Sequence, residues 1–166
     1  MTVIDALGGL PVGQVGIIVR DLERALESYS SRWGPGPWAG YVYGPSTVPR
    51  LTYRGESGRY SMRLALAGGS PQVELLQALE GPSIYHEWLD SGRVGLHHVG
   101  VLVETLDAAI ESMRRAGYDV LQSGRGYGLD GDGVYAYFDT ERDFEVIVEA
   151  IEVPKRRREP DFVWPI

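Results

Sequence analysis

Cysteine is absent from the 166 residues. That excludes disulfides, thiolate nucleophiles and cysteine-ligated metal sites, and it suits a reducing, cytoplasmic setting. No apolar run approaches the roughly 18 residues that a membrane span needs. The start, Met1 to Leu10, has neither the basic residues nor the long apolar core of a secretory signal. Positive charge is also short, with 16 Lys and Arg against 23 Asp and Glu, a net charge of −7. A nucleic-acid binder usually presents a basic face. Here the only basic cluster is Lys155 to Arg158, which reads as a solvated tail. Neither a nucleic acid nor a membrane is expected as a partner. What remains is ordinary for a globular chain, with 43% hydrophobic and 23% charged residues. The length suits one domain, or two small modules sharing a core. Four Trp and ten Tyr stand out. Each pairs an apolar body with a polar handle, which suits a pocket for a flat or amphipathic small molecule.

The chain repeats itself. Gln14-Val-Gly-Ile-Ile-Val-Arg-Asp-Leu-Glu-Arg-Ala-Leu-Glu-Ser28 returns, at an offset of 84 residues, as His98-Val-Gly-Val-Leu-Val-Glu-Thr-Leu-Asp-Ala-Ala-Ile-Glu-Ser112, with 7 of 15 positions identical. In each copy a strand pattern of period two gives way to a helical pattern: Leu22, Ala25, Leu26 and Tyr29, then Leu106, Ala109, Ile110 and Met113. Asp21 and Thr105 are expected N-caps, and Gly34 and Gly117 expected stops. Three strand-like segments follow each helix. They are 38–43, 60–67 and 72–78 in the first copy, and 118–122, 134–139 and 145–152 in the second. The reading is therefore α+β: two tandem βαβββ modules forming one cup-shaped curved sheet with helices outside. Residues 12–80 and 95–153 form the modules, 81–94 a linker helix and 154–166 a tail. The tail's apolar end, from Phe162 to Pro165, is expected to dock onto the domain or onto a second copy, as in a homodimer. The glycine-rich stretch 124–133 contains no Gly-Lys-Ser/Thr and reads as a mobile loop rather than a phosphate loop.

Strand alternation directs the polar residues. Val15, Ile17 and Val19 should face the helix, so Gln14, and likewise His98, faces the other side of the sheet. Glu74 in Val73-Glu-Leu and Glu149 in Val148-Glu-Ala form a second equivalent pair. Taken singly, each is a residue that strands often carry for structural reasons; their equivalence in two copies gives them weight. Together they form an oxygen-rich set with one nitrogen, compatible with Zn, Ni, Co, Mn or Mg. A divalent ion in such a set stabilises negative charge next to a carbonyl, and a flanking carboxylate moves the proton. Glu149 is the first choice for that base and Glu74 the second. His97 should point to the opposite face, as a structural or supporting residue, and His86 lies in the linker.

These segments, with Gly95-Leu-His-His-Val-Gly-Val-Leu-Val103 and Val146-Ile-Val-Glu149, resemble the vicinal oxygen chelate superfamily. It includes glyoxalase I, methylmalonyl-CoA epimerase, extradiol dioxygenases and bleomycin-resistance proteins. The resemblance implies paired βαβββ modules and one metal ligand from each of four strands: Gln14, Glu74, His98 and Glu149. Gln, Glu, His, Glu is similar to some glyoxalase I enzymes, whereas the Gly-Leu-His-His strand and its linker look more like methylmalonyl-CoA epimerase, which often has His where Gln14 stands. The activity implied is a metal-dependent isomerase, epimerase or lyase working next to a carbonyl. The alternative is a metal-free binder of an aromatic or antibiotic-like molecule, as in bleomycin-resistance proteins. Gln14 speaks against a dioxygenase. Nothing reads as a coenzyme A or glutathione site, and Tyr41, Tyr43 and Tyr53 hint at an aromatic ligand.

Overall fold

The computed structural model describes Leu7 and residues 9–165, so the reading of the first ten residues falls largely outside it. Eleven strands join in one curved, unclosed sheet. They are β1 (Val12–Ile18), β2 (Trp38–Tyr43), β3 (Arg50–Tyr53), β4 (Glu56–Ser57), β5 (Met62–Ala67), β6 (Gln72–Ala78), β7 (Gly95–Leu102), β8 (Val120–Tyr127), β9 (Gly133–Phe138), β10 (Ile147–Glu152) and β11 (Phe162–Trp164). The helices are α1 (Leu22–Arg32), α2 (Ile84–Asp90), α3 (Leu106–Arg115) and the single turn α4 (Glu141–Phe144). The order across the sheet is β11-β2-β5-β6-β1-β7-β10-β9-β8-β3-β4. The repeat is visible in that order. β2-β5-β6-β1 and β8-β9-β10-β7 are the same sequence of strands, meeting at the antiparallel pair β1–β7. Register repeats too: β1 sets Gly16 beside Glu74, and β7 sets Gly100 beside Glu149.

The sheet sorts the apolar residues onto two faces. On the outer face α1 packs Leu22 and Leu26 against Trp38, Ala65 and Leu75. Likewise α3 packs Leu106, Ala109 and Met113 against Ala136, Phe138 and Val148. The inner face carries Ile18, Met62, Leu64, Leu76 and Ile151 with a group of tyrosines. The linker helix α2 differs from the other two. It sends Ile84, Tyr85 and Trp88 into the inner cluster, because its apolar side faces the hollow of the cup.

Helix starts agree with the sequence in one copy and depart in the other. Asp21 accepts from the Arg24 N–H at 3.0 Å, but Thr105 makes no side-chain cap bond. Its place is taken by Glu152, whose Oε2 accepts from the Leu106 N–H at 2.8 Å. In the first copy Gln77 Oε1 accepts from the Leu22 N–H at 2.9 Å, so a strand side chain serves each helix at the same repeat position.

Two expectations are corrected. Residues 124–127 are not a mobile loop; they complete β8, paired with β9 and, through Gly124 and Arg125, with β3. The basic run 155–158 is not simply a solvated tail. Arg156 pairs with Asp130, and Arg158 pairs with Asp161 at 2.7 Å while its guanidinium lies 5.3 Å from the Tyr41 and Tyr43 rings. The segment is a strap that runs from β10 to β11, which pairs with β2 of the same chain.

Candidate metal centre

The four side chains singled out from the repeat are all buried: Gln14 is 8% exposed, Glu74 5%, His98 0% and Glu149 4%. Three of them meet. His98 Nε2 stands 3.1 Å from Glu74 Oε2 and 3.3 Å from Glu149 Oε2. Each of these three atoms is buried from water, and none has a partner outside the trio. Among the described residues no group of three His, Asp or Glu side chains stands in an arrangement that would hold a metal ion without adjustment. The convergence runs through His98, which faces one oxygen of each carboxylate. Gln14 lines the same cavity as Glu74 and Glu149 but makes no hydrogen bond to the trio among the described residues.

Glycine makes the meeting sterically feasible. A Cβ on Gly16 would fall 1.9 Å from the His98 ring, and one on Gly100 would fall 3.0 Å from Gln14 Cβ. In the β1–β7 ladder Gly16 lies opposite His98 and Gln14 opposite Gly100. Each copy of the Gln/His-Val-Gly motif therefore supplies one side chain and the space for the other copy's.

His97 does not point to the opposite face as strict alternation predicts. The register passes from Gly16 opposite His98 to Ile17 opposite Leu96, so His97 is the extra residue of a β-bulge. Its Nδ1 lies 2.9 Å from Nδ1 of His98, and its ring packs among Tyr85, Trp88 and Tyr137. Burial first, then the charges of His98 and Arg93, pushes His97 down to about 2, so it is neutral. Burial also pushes His98 down, but the charge of Glu149 and the hydrogen bond and charge of Glu74 outweigh it, and the net direction is up. In its protonated form His98 carries both ring protons. Hydrogen-bond logic then makes it the donor to His97 and leaves Nε2 towards the carboxylates.

Burial raises Glu149 to about 8; the His98 charge opposes this, the Glu74 charge adds to it, and the nearby Tyr137 hydroxyl opposes it. Tyr137 accepts from the Tyr85 hydroxyl at 2.9 Å, and Tyr60 donates to the Ser123 carbonyl at 2.8 Å while bonding Tyr135 at 3.0 Å. These tyrosines were counted in the sequence but not assigned a place. No signal short of strand pairing sets their hydroxyls behind Glu149.

The cavity above the trio measures about 260 Å³. Met62, Leu64, Leu66, Leu76 and Ile151 give it carbon walls, and Tyr43, Tyr127, Tyr135 and Tyr137 add rings with polar tips. Tyr41 is buried in the inner cluster, while Tyr53 bonds Glu87 of α2 and is not among the cavity-lining residues. His86 bonds Ser83 within the linker.

Comparison with known families gives one match, over residues 13–138, to the Glyoxalase/Bleomycin resistance protein/Dioxygenase superfamily. The chain belongs to that superfamily. Solved structures agree on the superfamily fold. Methylmalonyl-CoA epimerase from Mycobacterium tuberculosis is 23% identical, with a TM-score of 0.63 and 87% of each chain covered. A Streptomyces coelicolor methylmalonyl-CoA epimerase variant in complex with 2-nitronate-propionyl-CoA is 18% identical, with a TM-score of 0.65, covering 90% of this chain and 99% of that one. A hypothetical protein from Bacillus halodurans is 17% identical, with a TM-score of 0.64, covering 90% and 97%. At these identities the likeness is one of fold. No curated protein matches the sequence.

Proposed function

We propose that this member of the superfamily is a divalent-metal enzyme that moves a proton at the carbon beside a carbonyl of a small molecule, as an isomerase, epimerase or lyase. The observation that carries this is the convergence of three buried polar atoms, on Glu74, His98 and Glu149, that contact only one another. Two buried carboxylates share a single imidazole, and a buried charge that is not fully compensated is costly. An ion at their meeting point would remove that cost. The spacing also suits one: with bonds of about 2.1 Å, neighbouring donors sit about 3.0 Å apart on an octahedron and about 3.4 Å apart on a tetrahedron. The contacts of 3.1 and 3.3 Å fall in that range. Glu74, His98 and Glu149 would hold the ion, with Gln14 the fourth donor from the cavity wall.

The ion would supply positive charge where negative charge develops on a substrate oxygen. The chain's own residues do the rest. Glu149, made more basic by burial, takes the proton from the carbon and returns it. The Tyr137 hydroxyl lies near that carboxylate and is itself held by the hydrogen bond from Tyr85. The leucine and methionine walls keep water from the carbanion-like centre. Cysteine-free chemistry of this kind suits the cytoplasm.

The test is calorimetric titration of chelator-treated protein with zinc, nickel, cobalt, manganese and magnesium, repeated on Glu149→Gln. We expect one ion per chain at micromolar affinity or better, weakened at least about 100-fold in the variant. No ion bound by wild-type protein would sink the reading. A second reading, a metal-free binder of an aromatic molecule, is favoured by the tyrosine-rich wall and by the charge balance that protonated His98 gives the two carboxylates. Ligand binding indifferent to chelator would support it.

A further inference from the structure

The strap places one cation on the cavity wall. Arg157 lines the hollow together with Tyr43, Tyr127 and the two buried carboxylates, and no other Lys or Arg does. Its neighbours hold it there. Pro154 packs on Gly128, the Leu129 N–H donates to the Arg156 carbonyl at 3.0 Å, and Arg156 pairs with Asp130. On the other side Arg158 pairs with Asp161 and donates to the Val42 carbonyl at 2.9 Å, while Asp161 accepts from the Val42 N–H at 2.7 Å. Arg156 and Arg158 are thus spent on structure. Arg157 has no ion pair or hydrogen bond among the described residues. It shares the cavity lining with Tyr43, at the end of β2, and Tyr127, at the end of β8.

We propose that Arg157 sets the ligand specificity of the cavity by pairing with an oxyanion, a carboxylate or its like, at the outer end of an amphipathic small molecule. The proposal rests on the reading of the cavity as a ligand site. Glu74 and Glu149 at the inner end of that cavity offer an anion no cation, whereas a guanidinium at the rim binds a planar oxyanion through two parallel N–H groups. The carbon and tyrosine walls hold the body between the two ends. The cavity so orders its ligand, anionic end outward and reacting end inward. Because Arg157 is exposed, its contribution is reduced by solvent screening and is read as specificity rather than as large affinity.

The probes are 2-naphthoate and its neutral isostere 2-naphthamide, titrated by fluorescence with EDTA present so that no ion contributes. Wild-type protein should bind the carboxylate about tenfold more tightly than the amide. Arg157→Gln should abolish that preference while leaving the amide affinity and the melting temperature unchanged, and Arg157→Lys should keep part of it. If the amide binds but the carboxylate binds no better, or if Arg157→Gln keeps the preference, the role of Arg157 is refuted and the cavity reading survives. If neither probe binds, the role of Arg157 is refuted, while the metal reading stands or falls separately on the calorimetric titration.

Discussion

At Gly16 and Gly100 a missing side chain matters as much as the candidate ligands beside it. Each glycine lies in a central strand, where its conformational entropy is a cost, and each is held there by the volume of the residue across the ladder. Gly16→Ala would push a methyl group into the His98 ring, and the ring, fully buried beside His97 and Tyr137, has nowhere to move. We expect a loss of about 1–3 kcal/mol in denaturant unfolding, the usual cost of overpacking, and a divalent-ion affinity reduced by tenfold or more. Gly69→Ala, where a Cβ would meet open space, is the control and should change neither. Unchanged unfolding and ion affinity in Gly16→Ala would mean that His98 does not sit as described. Gln14, Glu74, His98 and Glu149 were legible as buried, equivalent positions because the repeat and strand alternation both point at them. His97 was not, because a bulge resets alternation and depends on register with β1, which no local pattern records.

Elements with a long pattern could be read: β1, α1 and α3 each carry several turns or alternations of consistent burial, and β7 was read through its likeness to β1. Short ones could not. β3 has four residues and β4 two, too few to show a period, and β3 finds its partner in β8 some seventy residues on. β11 was foreseen only as an apolar end that docks. Together these short strands change how the halves are joined. A strand from the first half extends the second at β8, and one from the tail extends the first at β2, so each half covers an edge of the other. The helix caps are a further device at this scale. Glu152→Ala removes the acceptor for the first N–H of α3 and should cost about 0.5–2 kcal/mol in urea unfolding. Glu152→Gln should restore most of it, because Gln77 performs the same task for α1. Equal losses in both variants would show that charge, rather than the cap bond, is what counts.

The buried centre also couples the stability of the whole molecule to pH. Glu149 and His98 are both raised in the folded chain, so their contribution is fullest below their unfolded values and is lost as pH rises towards their folded ones. His97 runs the other way: its folded value is depressed, so its contribution is present above about pH 6.5 and is lost as pH falls. Between roughly pH 6.5 and 8.5 only the first effect operates. Chelator-treated protein should therefore melt lower at pH 8.5 than at 6.5, by about 5 °C or more, with a maximum near the lower limit. Excess zinc should reverse the slope, since an ion competes with protons for Glu149 and His98. A flat profile in chelator would show that the carboxylates are not buried as described.

The two halves echo each other strand for strand, but the centre they share does not. One half contributes an amide at Gln14 where the other contributes the ring of His98, and Arg157 stands on the cavity wall with no matching cation. A molecule lying in the cup meets different neighbours on its left and its right. Two mirror-image ligands would make unequal contacts there, so a scaffold built from near duplicates can still distinguish one hand from the other.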